Sequence, residues 1–181
     1  MQGDKYLDVG GGIETQPWTL AILTAIDATA LQAIASKGYQ GVCFDIEIGN
    51  VGLAAAFTAA FARVKAANLK VMVTMSHSAP YYFPDSNNAE GKMVMDAILA
   101  SPNVDIIAPQ LYGGSTLALD LQPTRSNNII VPFSSIGASG TKAKIMPILP
   151  AYLASSVSQT QAMFSGLTPP VIIAGCILWT Y

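Results

Sequence analysis

Short apolar stretches alternate with longer segments of helical spacing along this chain. Six stretches have the length and apolar character of buried β-strands, at 5–12, 41–47, 69–78, 104–112, 144–149 and 171–179. Segments with helical spacing lie at 18–25, 28–36, 53–67, 90–100 and 156–164. This alternation predicts repeated βα units and a parallel sheet. Turn residues crowd the region 117–141, where we expect a long loop or a distorted helix.

Capping residues at the ends of two segments support the helix assignment. Asp27 precedes the segment 28–36 and Gly38 follows it, while Asn68 follows the segment 53–67. Aspartate caps helix starts, and glycine or asparagine tolerates the left-handed conformation after a helix end. These residues predict where both helices begin or end.

The second apolar stretch ends in two carboxylates, Asp45 and Glu47. Side chains at i and i+2 of a strand point the same way, roughly 7 Å apart, so the two acids share one face. In barrels of parallel strands the carboxyl end of the strands holds the active site. The pair is therefore a candidate catalytic site, although solvated acids at a strand end are also common.

The number of strands and the chain length point to an incomplete barrel. A complete eight-stranded barrel usually takes about 250 residues, whereas this chain has 181 residues and six predicted strands. The predicted fold class is α/β, a (β/α)8 TIM-barrel-like fold that is partial. Residues 1–181 are expected to form one domain, with either an open sheet or two missing units.

The other strand ends carry short motifs of their own. These are DVGG at 8–11, a proline-containing segment at 79–85, QLY at 110–112, LPA at 149–151 and GCILW at 175–179. Together with 40–47, and in this order, they resemble the family 18 glycoside hydrolases, most of all the plant class III chitinases. The resemblance covers nearly the whole chain and implies that strands three to eight of the family's barrel are present.

The family's signature, D-G-x-D-x-D-x-E, is matched only in part by QGVCFDIE at 40–47. Gly41, Asp45 and Glu47 agree with it, whereas Gln40 and Cys43 do not. In the family, the aspartate at the Cys43 position shares a proton with the next aspartate. Because Asp8 replaces the usual serine of the third strand, we expect Asp8 and Asp45 to share that proton instead, or Asp8 to be only a charge at a strand end.

The resemblance implies a chitinase that cleaves β-1,4 bonds between N-acetylglucosamine units. Glu47 would be the general acid, and the acetamido oxygen of the substrate would attack the anomeric carbon. Asp45 would orient the acetamido group, and Tyr112 would bond its oxygen beside Gln110. Trp179 would stack on a sugar ring. Further substrate-binding candidates are Asp8, Gly11, Met75 and His77.

Two functions of different class follow from these motifs. The first is a retaining chitinase-type hydrolase with Glu47 as acid. The alternative is a catalytically weak or inactive chitinase-like domain that binds carbohydrate or protein. Asp45, Glu47, Tyr112 and Trp179 favour the hydrolase. Cys43, Gln40 and the missing strands favour the alternative.

Composition and charge narrow the range of partners. A net charge of -2 gives no electrostatic reason to expect nucleic acid or an anionic membrane. The longest apolar runs are about half of a membrane span. Hydrophobic residues make up 51% of the chain and charged residues 11%, so we expect something to cover the open sheet edges. A second copy of the chain, a closed arrangement of the six strands, or the two missing units of a longer chain would each do so. The expected ligand is chitin or a chito-oligosaccharide.

No metal or cofactor is expected, because no His, Cys and acidic residues have metal-ligand spacing. His77, the one histidine, could line the sugar cleft or satisfy a local hydrogen bond. Cys43 and Cys176 are expected to lie on opposite faces of the sheet, so they cannot form a disulfide. Met1 begins no secretory signal, and the cellular location is open; the resemblance alone suggests an extracellular one.

Overall fold

The computed structural model describes residues 3–11, 17–76, 89–111, 132–150 and 156–179. The strands are β1 (Tyr6–Gly10), β2 (Gly41–Asp45), β3 (Lys70–Ser76), β4 (Ile106–Gln110), β5 (Lys144–Ile145), β6 (Ile148–Pro150) and β7 (Ile177–Trp179). The helices are α1 (Leu20–Ala25), α2 (Ala28–Ser36), α3 (Ala54–Ala66), α4 (Ala89–Ala100), α5 (Ser134–Ala138) and α6 (Val157–Ser165).

All strand pairs in the sheet are parallel, in the order β1-β2-β3-β4-β6-β7, with β5 also paired to β4. Because β5 and β6 both pair with β4 and occupy one position, the sheet curls into a half-barrel of six strand positions with helices between them. The predicted α/β fold, a partial TIM-like barrel, is therefore confirmed. Helix α1 and helix α2 form the link from β1 to β2, and helix α3 forms the link from β2 to β3.

One face of the sheet packs against the helices and forms the hydrophobic core. Val42 and Phe44 of β2, and Ile46 directly after it, are fully buried in the hydrophobic core. Helix α3 buries Phe57 and Phe61 in the same core, and both rings contact other aromatic side chains there. The alternate residues of each strand point to the other face, which is the concave interior of the half-barrel.

The predicted helix caps occur where expected. The Asp27 carboxylate accepts a hydrogen bond from the Ala30 amide at 2.9 Å. Asn68, at φ 58°, and Gly38, at φ 80°, adopt the left-handed conformation after helices α3 and α2. Arg63 of α3 donates to the carbonyls of Ile26 and Leu23 at 2.9 and 2.6 Å, which supplies partners at the end of α1.

Three segments differ from the sequence-based expectation. Trp18 does not begin a helix; it forms a parallel bridge with Gly49. The fifth predicted strand is divided into β5 and β6 around Pro147, which has no N–H for the ladder. In the last stretch only 177–179 is a strand, with a single bridge at Ile173. The irregular region contains the short helix α5.

The amino-terminal half of the concave interior is hollow. A cavity of about 660 Å³ is lined there by Tyr6, Met72, Ile106 and Ile177, among other residues. Ion pairs stand near its rim, between Lys70 and Asp4 at 2.5 Å and between Lys65 and Asp105 at 2.8 Å. Side chains fill this space in a complete barrel, so the cavity is the direct result of the partial sheet.

Strands β1 and β7 form the two edges of the sheet, each with one partner strand among the described residues. Near the β7 edge, Ile172, Leu178 and Trp179 are exposed by 74%, 48% and 42%. Covering of these edges by a second copy stays a prediction. None of the helices in the described ranges combines the length and the apolar character needed to cross a membrane.

Gly10 marks a close approach between β1, β2 and Trp18. Its φ is 109°, and a Cβ placed on it would lie 2.3 Å from the Asp45 carbonyl oxygen and 2.6 Å from the Trp18 Nε1 atom. Gly38 has a similar positive φ, with nothing within 4 Å of a Cβ. Alanine substitutions at Gly10 and Gly38 therefore separate the cost of the backbone conformation from the cost of a steric clash.

We expect Gly10→Ala to lower the free energy of unfolding by about 3 kcal/mol or more, because both backbone strain and overlap oppose it. Gly38→Ala should cost only about 1 kcal/mol, from conformation alone. Urea denaturation of both variants measures the difference. Equal losses would show that the close approach at Gly10 relaxes without cost.

Candidate active site

The candidate site lies at the carboxyl end of β2. The strand itself ends at Asp45. Glu47 follows in a bend, whereas the sequence pattern predicts it within the strand. Beyond it, Ile48 accepts a hydrogen bond from the Trp18 amide at 2.8 Å, and the Asn50 amide donates to the Trp18 carbonyl at 2.9 Å. These bonds fix the turn that carries the acids.

Gln110, at the end of β4, joins the two acids. Its Nε2 atom lies 2.9 Å from Asp45 Oδ1 and 3.0 Å from Glu47 Oε1. An amide nitrogen has two hydrogens, so it can donate one to each carboxyl group. The Gln110 side chain is only 3% exposed, which restricts its rotation. The acids and Gln110 therefore share one face of the sheet.

The environment of Asp45 favours its neutral form. Burial of the carboxyl group is the main cause, followed by the nearby Glu47 and Asp8 carboxylates, and together they raise the pKa of Asp45 from 3.8 to about 8. A side-chain hydrogen bond with Glu47 acts in the same direction, while the Gln110 bond lowers the pKa. At neutral pH the acid pair therefore holds a proton.

Asp8 and Cys43 form a second pair, which lies closer to the amino end of the strands than Asp45. They lie opposite each other in the β1–β2 register, and their side chains are hydrogen-bonded. Burial, and then the Asp8 charge, raises the pKa of the Cys43 thiol, which stays protonated. Asp8 raises the pKa of Asp45 through its charge, whereas Glu47 does so through its charge and a side-chain hydrogen bond. A proton shared directly between Asp8 and Asp45 stays a prediction.

Residues of neighbouring strands complete the surroundings of Asp45. The Gly11 amide donates to the Asp45 carbonyl at 3.0 Å, and the Trp18 indole Nε1 donates to the same oxygen at 2.8 Å. Thr74 lies opposite Asp45 on β3. Its hydroxyl is buried and has no hydrogen-bond partner among the described residues.

Trp18 and Thr74 were not among the residues that the sequence singled out. Trp18 looked like the first residue of an apolar helix, and nothing local marked its indole as a partner of Asp45. Thr74 could have been found from strand alternation, because it is a polar residue within the apolar run of β3.

The remaining candidates have different positions. Gln110 lies opposite Ile148, which lies opposite Ile177. Trp179 is two residues after Ile177 and therefore points to the same face as Gln110, two strands away. Met75 is fully buried in the hydrophobic core. Its alternation with Thr74 directs it to the helix side, so its assignment to the substrate face is wrong. Tyr112 and His77 lie outside the described residues.

Metal ligation is a separate question from the acid pair. Within the ranges that the structure describes, no group of three or more His, Cys, Asp or Glu side chains is arranged to hold a metal ion. Cys43 and Cys176 are free thiols. Cys176 packs partly against the hydrophobic core, on the side opposite Cys43, as the alternation predicted.

Comparison with known proteins gives a structural neighbour but no sequence relative. No family model matches the sequence, and no curated protein matches it. A crystal structure of a chitinase from Chromobacterium violaceum ATCC 12472 is similar, with a TM-score of 0.50 and 18% sequence identity over 82% of this chain. The fold is chitinase-like. The match covers 50% of that chitinase, so this chain spans about half of its length.

The raised pKa of Asp45 makes stability depend on pH. The protonated form is favoured by folding, so its contribution is complete below the unfolded pKa of 3.8 and is lost as pH rises to about 8. We expect the free energy of unfolding of the wild type to fall, relative to Asp45→Asn, by up to about 1.4 kcal/mol per pH unit within this window.

Chemical denaturation of both proteins between these pH values measures this difference. Asp96→Asn, on the exposed side of helix α4, removes the same charge away from the site and should run parallel to the wild type. A constant difference between wild type and Asp45→Asn across the window would contradict the buried, protonated state of Asp45.

Proposed function

We propose that this protein is a chitinase-type glycoside hydrolase of family 18 that cleaves β-1,4-linked N-acetylglucosamine polymers. The observation that carries the proposal is the bridge made by Gln110, which brings Asp45 and Glu47 together at the carboxyl edge of a parallel sheet. The chitinase-like fold supports it. The sequence motifs at the strand ends supply the assignment to the family.

In the proposed reaction, Glu47 protonates the glycosidic oxygen as the bond from this oxygen to the anomeric carbon breaks. The acetamido oxygen of the same sugar attacks that carbon from the other side and forms a cyclic oxazolinium ion. Glu47, now ionised, then removes a proton from a water molecule that opens the ring. The configuration at the anomeric carbon is retained.

Asp45 has a complementary role in this scheme. The acid pair shares one proton before reaction, and Glu47 donates that proton to the leaving group. Asp45 is then left as a carboxylate, which accepts a hydrogen bond from the acetamido N–H and offsets the positive charge of the oxazolinium ion. The burial that favours neutral Asp45 in the free protein strengthens this interaction with the intermediate.

Substrate binding is proposed on the same face of the sheet. Tyr112 follows Gln110 by two residues and would bond the acetamido oxygen, while Trp179 offers a partly exposed ring for a sugar. Gly11 leaves room beside Asp45, since a Cβ there would stand 3.6 Å from Asp45 Oδ2. His77 is proposed to line the cleft after β3. A chito-oligosaccharide is the smallest substrate that would use these groups.

One observation favours a second function, a binding domain without turnover. Cys43 stands where the family has a proton-sharing aspartate, and its thiol remains protonated and bonded to Asp8. A neutral thiol cannot take up the proton of Asp45 during the reaction. In this reading the acids and Trp179 hold a chito-oligosaccharide or a protein without cleaving it.

We expect the wild type to cleave chito-oligosaccharides and Glu47→Gln to be at least about 100-fold slower, because the general acid is lost. Asp96→Asn is the control for loss of one acidic group and should keep the wild-type rate. Mass spectrometry measures the products, and proton NMR reports whether the β-anomer appears first. Equal hydrolysis by wild type and Glu47→Gln would contradict Glu47 as acid.

The absence of hydrolysis in the wild type, combined with binding of the oligosaccharide in calorimetry, would support the binding domain instead. Loss of this binding in Trp179→Ala would then place the ligand on the concave face.

The proton shared by the acid pair predicts an alkaline limit to activity. We expect kcat/KM to fall as pH rises through about 8, where Asp45 loses its proton. Asp8→Asn removes a negative charge that raises the pKa of Asp45, so the limit should move to lower pH. The pH dependence of kcat/KM in both proteins measures this shift. An unchanged limit in Asp8→Asn would exclude an electrostatic role of Asp8.

A further inference from the structure

Trp18 contacts the candidate site through the backbone of Asp45. Its indole Nε1 donates a hydrogen bond to the Asp45 carbonyl at 2.8 Å, across 27 residues of sequence. The Trp18 backbone is joined to the turn after Asp45 by hydrogen bonds with Ile48 and Asn50. One residue thus holds both ends of the segment that presents Asp45 and Glu47.

The Asp45 carbonyl is held from two sides. Gly11 donates its amide to the same oxygen at 3.0 Å. The next amide, that of Ile46, donates to the Thr74 carbonyl at 2.8 Å. The peptide group between Asp45 and Ile46 therefore has its oxygen and its nitrogen fixed by three partners. The orientation of this peptide group sets where the chain places Glu47.

Packing fixes the indole as firmly as hydrogen bonds fix the peptide group. Trp18 is 2% exposed. Its ring stacks on Phe44 at a centroid distance of 5.8 Å and meets Phe57 edge-on at 5.3 Å. The indole passes over Gly10, where no side chain other than hydrogen fits. An aromatic residue used only to fill the core would not need an N–H at this point.

We propose that Trp18 is a positioning residue for the acid pair: its indole N–H orients the Asp45 carbonyl so that the side chains of Asp45 and Glu47 both reach Gln110. The role in catalysis rests on the proposed hydrolase function. The positioning itself is a property of the folded protein and can be measured without turnover.

The test replaces the indole N–H with little change in shape. Site-specific incorporation of 3-benzothienylalanine at position 18 puts sulfur in place of the N–H, and Trp18→Phe is a second variant that also lacks the donor. Phe61→Leu is the core control, because Phe61 is fully buried and contacts Phe44 but makes no bond to Asp45. Unfolding midpoints of all three identify the loss of stability alone.

The direct measurement is the NMR signal of the Gln110 side-chain amide, which reports its hydrogen bonds to both acids. We expect this signal to shift in both Trp18 variants and to stay unchanged in Phe61→Leu. In a hydrolysis assay the Trp18 variants should lose about tenfold to a hundredfold in kcat with KM unchanged, since misplaced catalytic groups slow the chemical step.

An unchanged Gln110 signal in both Trp18 variants would overturn the proposal and leave Trp18 as a core residue. Should the wild type fail to hydrolyse chito-oligosaccharides, the proposed function fails, and the Gln110 signal still decides the role of Trp18. Hydrolysis by the wild type, with an unchanged Gln110 signal and unchanged kcat in the Trp18 variants, would overturn only the positioning role.

Discussion

Alternation along β2 is the constraint on which the rest of the site depends. Val42, Phe44 and Ile46 must face the helices, because their side chains account for much of the core between sheet and helices. Their burial leaves Asp45 no orientation other than the concave side. A shift of one residue in the pairing with β1 or β3 would move the acids into the helix layer, at a large cost in buried charge.

The same constraint explains why the site is costly for the fold. Three acidic side chains, a thiol and a threonine hydroxyl without a hydrogen-bond partner in the described part of the chain lie close together on adjoining strands and the bend after β2. A protein built only for stability would place apolar groups there. The structure offsets this cost with a neutral Asp45, with hydrogen bonds from Gln110, and with the aromatic packing around Trp18. Polar groups of this kind, gathered at one end of a sheet, are typical of functional sites.

Sequence patterns predicted most of the fold and part of the site. The strands and helices follow from hydrophobic spacing. Asp27, Gly38 and Asn68 mark helix ends because the capping bond or the backbone conformation of each involves only neighbouring residues. Alternation predicted that Asp45 and Glu47 lie on the same side, although Glu47 stands in the bend after β2 and is joined to Asp45 through Gln110. The bond from Trp18 could not be predicted, since it joins residues far apart in sequence and depends on how β1 and β2 approach at Gly10. Met75 was misassigned because alternation along β3 was not applied to it, and the Asp8 hydrogen bond depends on side-chain geometry that parity does not give.

The hollow amino-terminal half of the interior has a consequence for how the sheet responds to its surroundings. At that end, ion pairs join Lys70 to Asp4 and Lys65 to Asp105 near the rim of the cavity. Dissolved salt screens such partly exposed pairs, whereas the protonation of Asp45 is set by pH. The interactions at the amino end of the strands therefore depend on ionic strength, and those at the carboxyl end depend on pH.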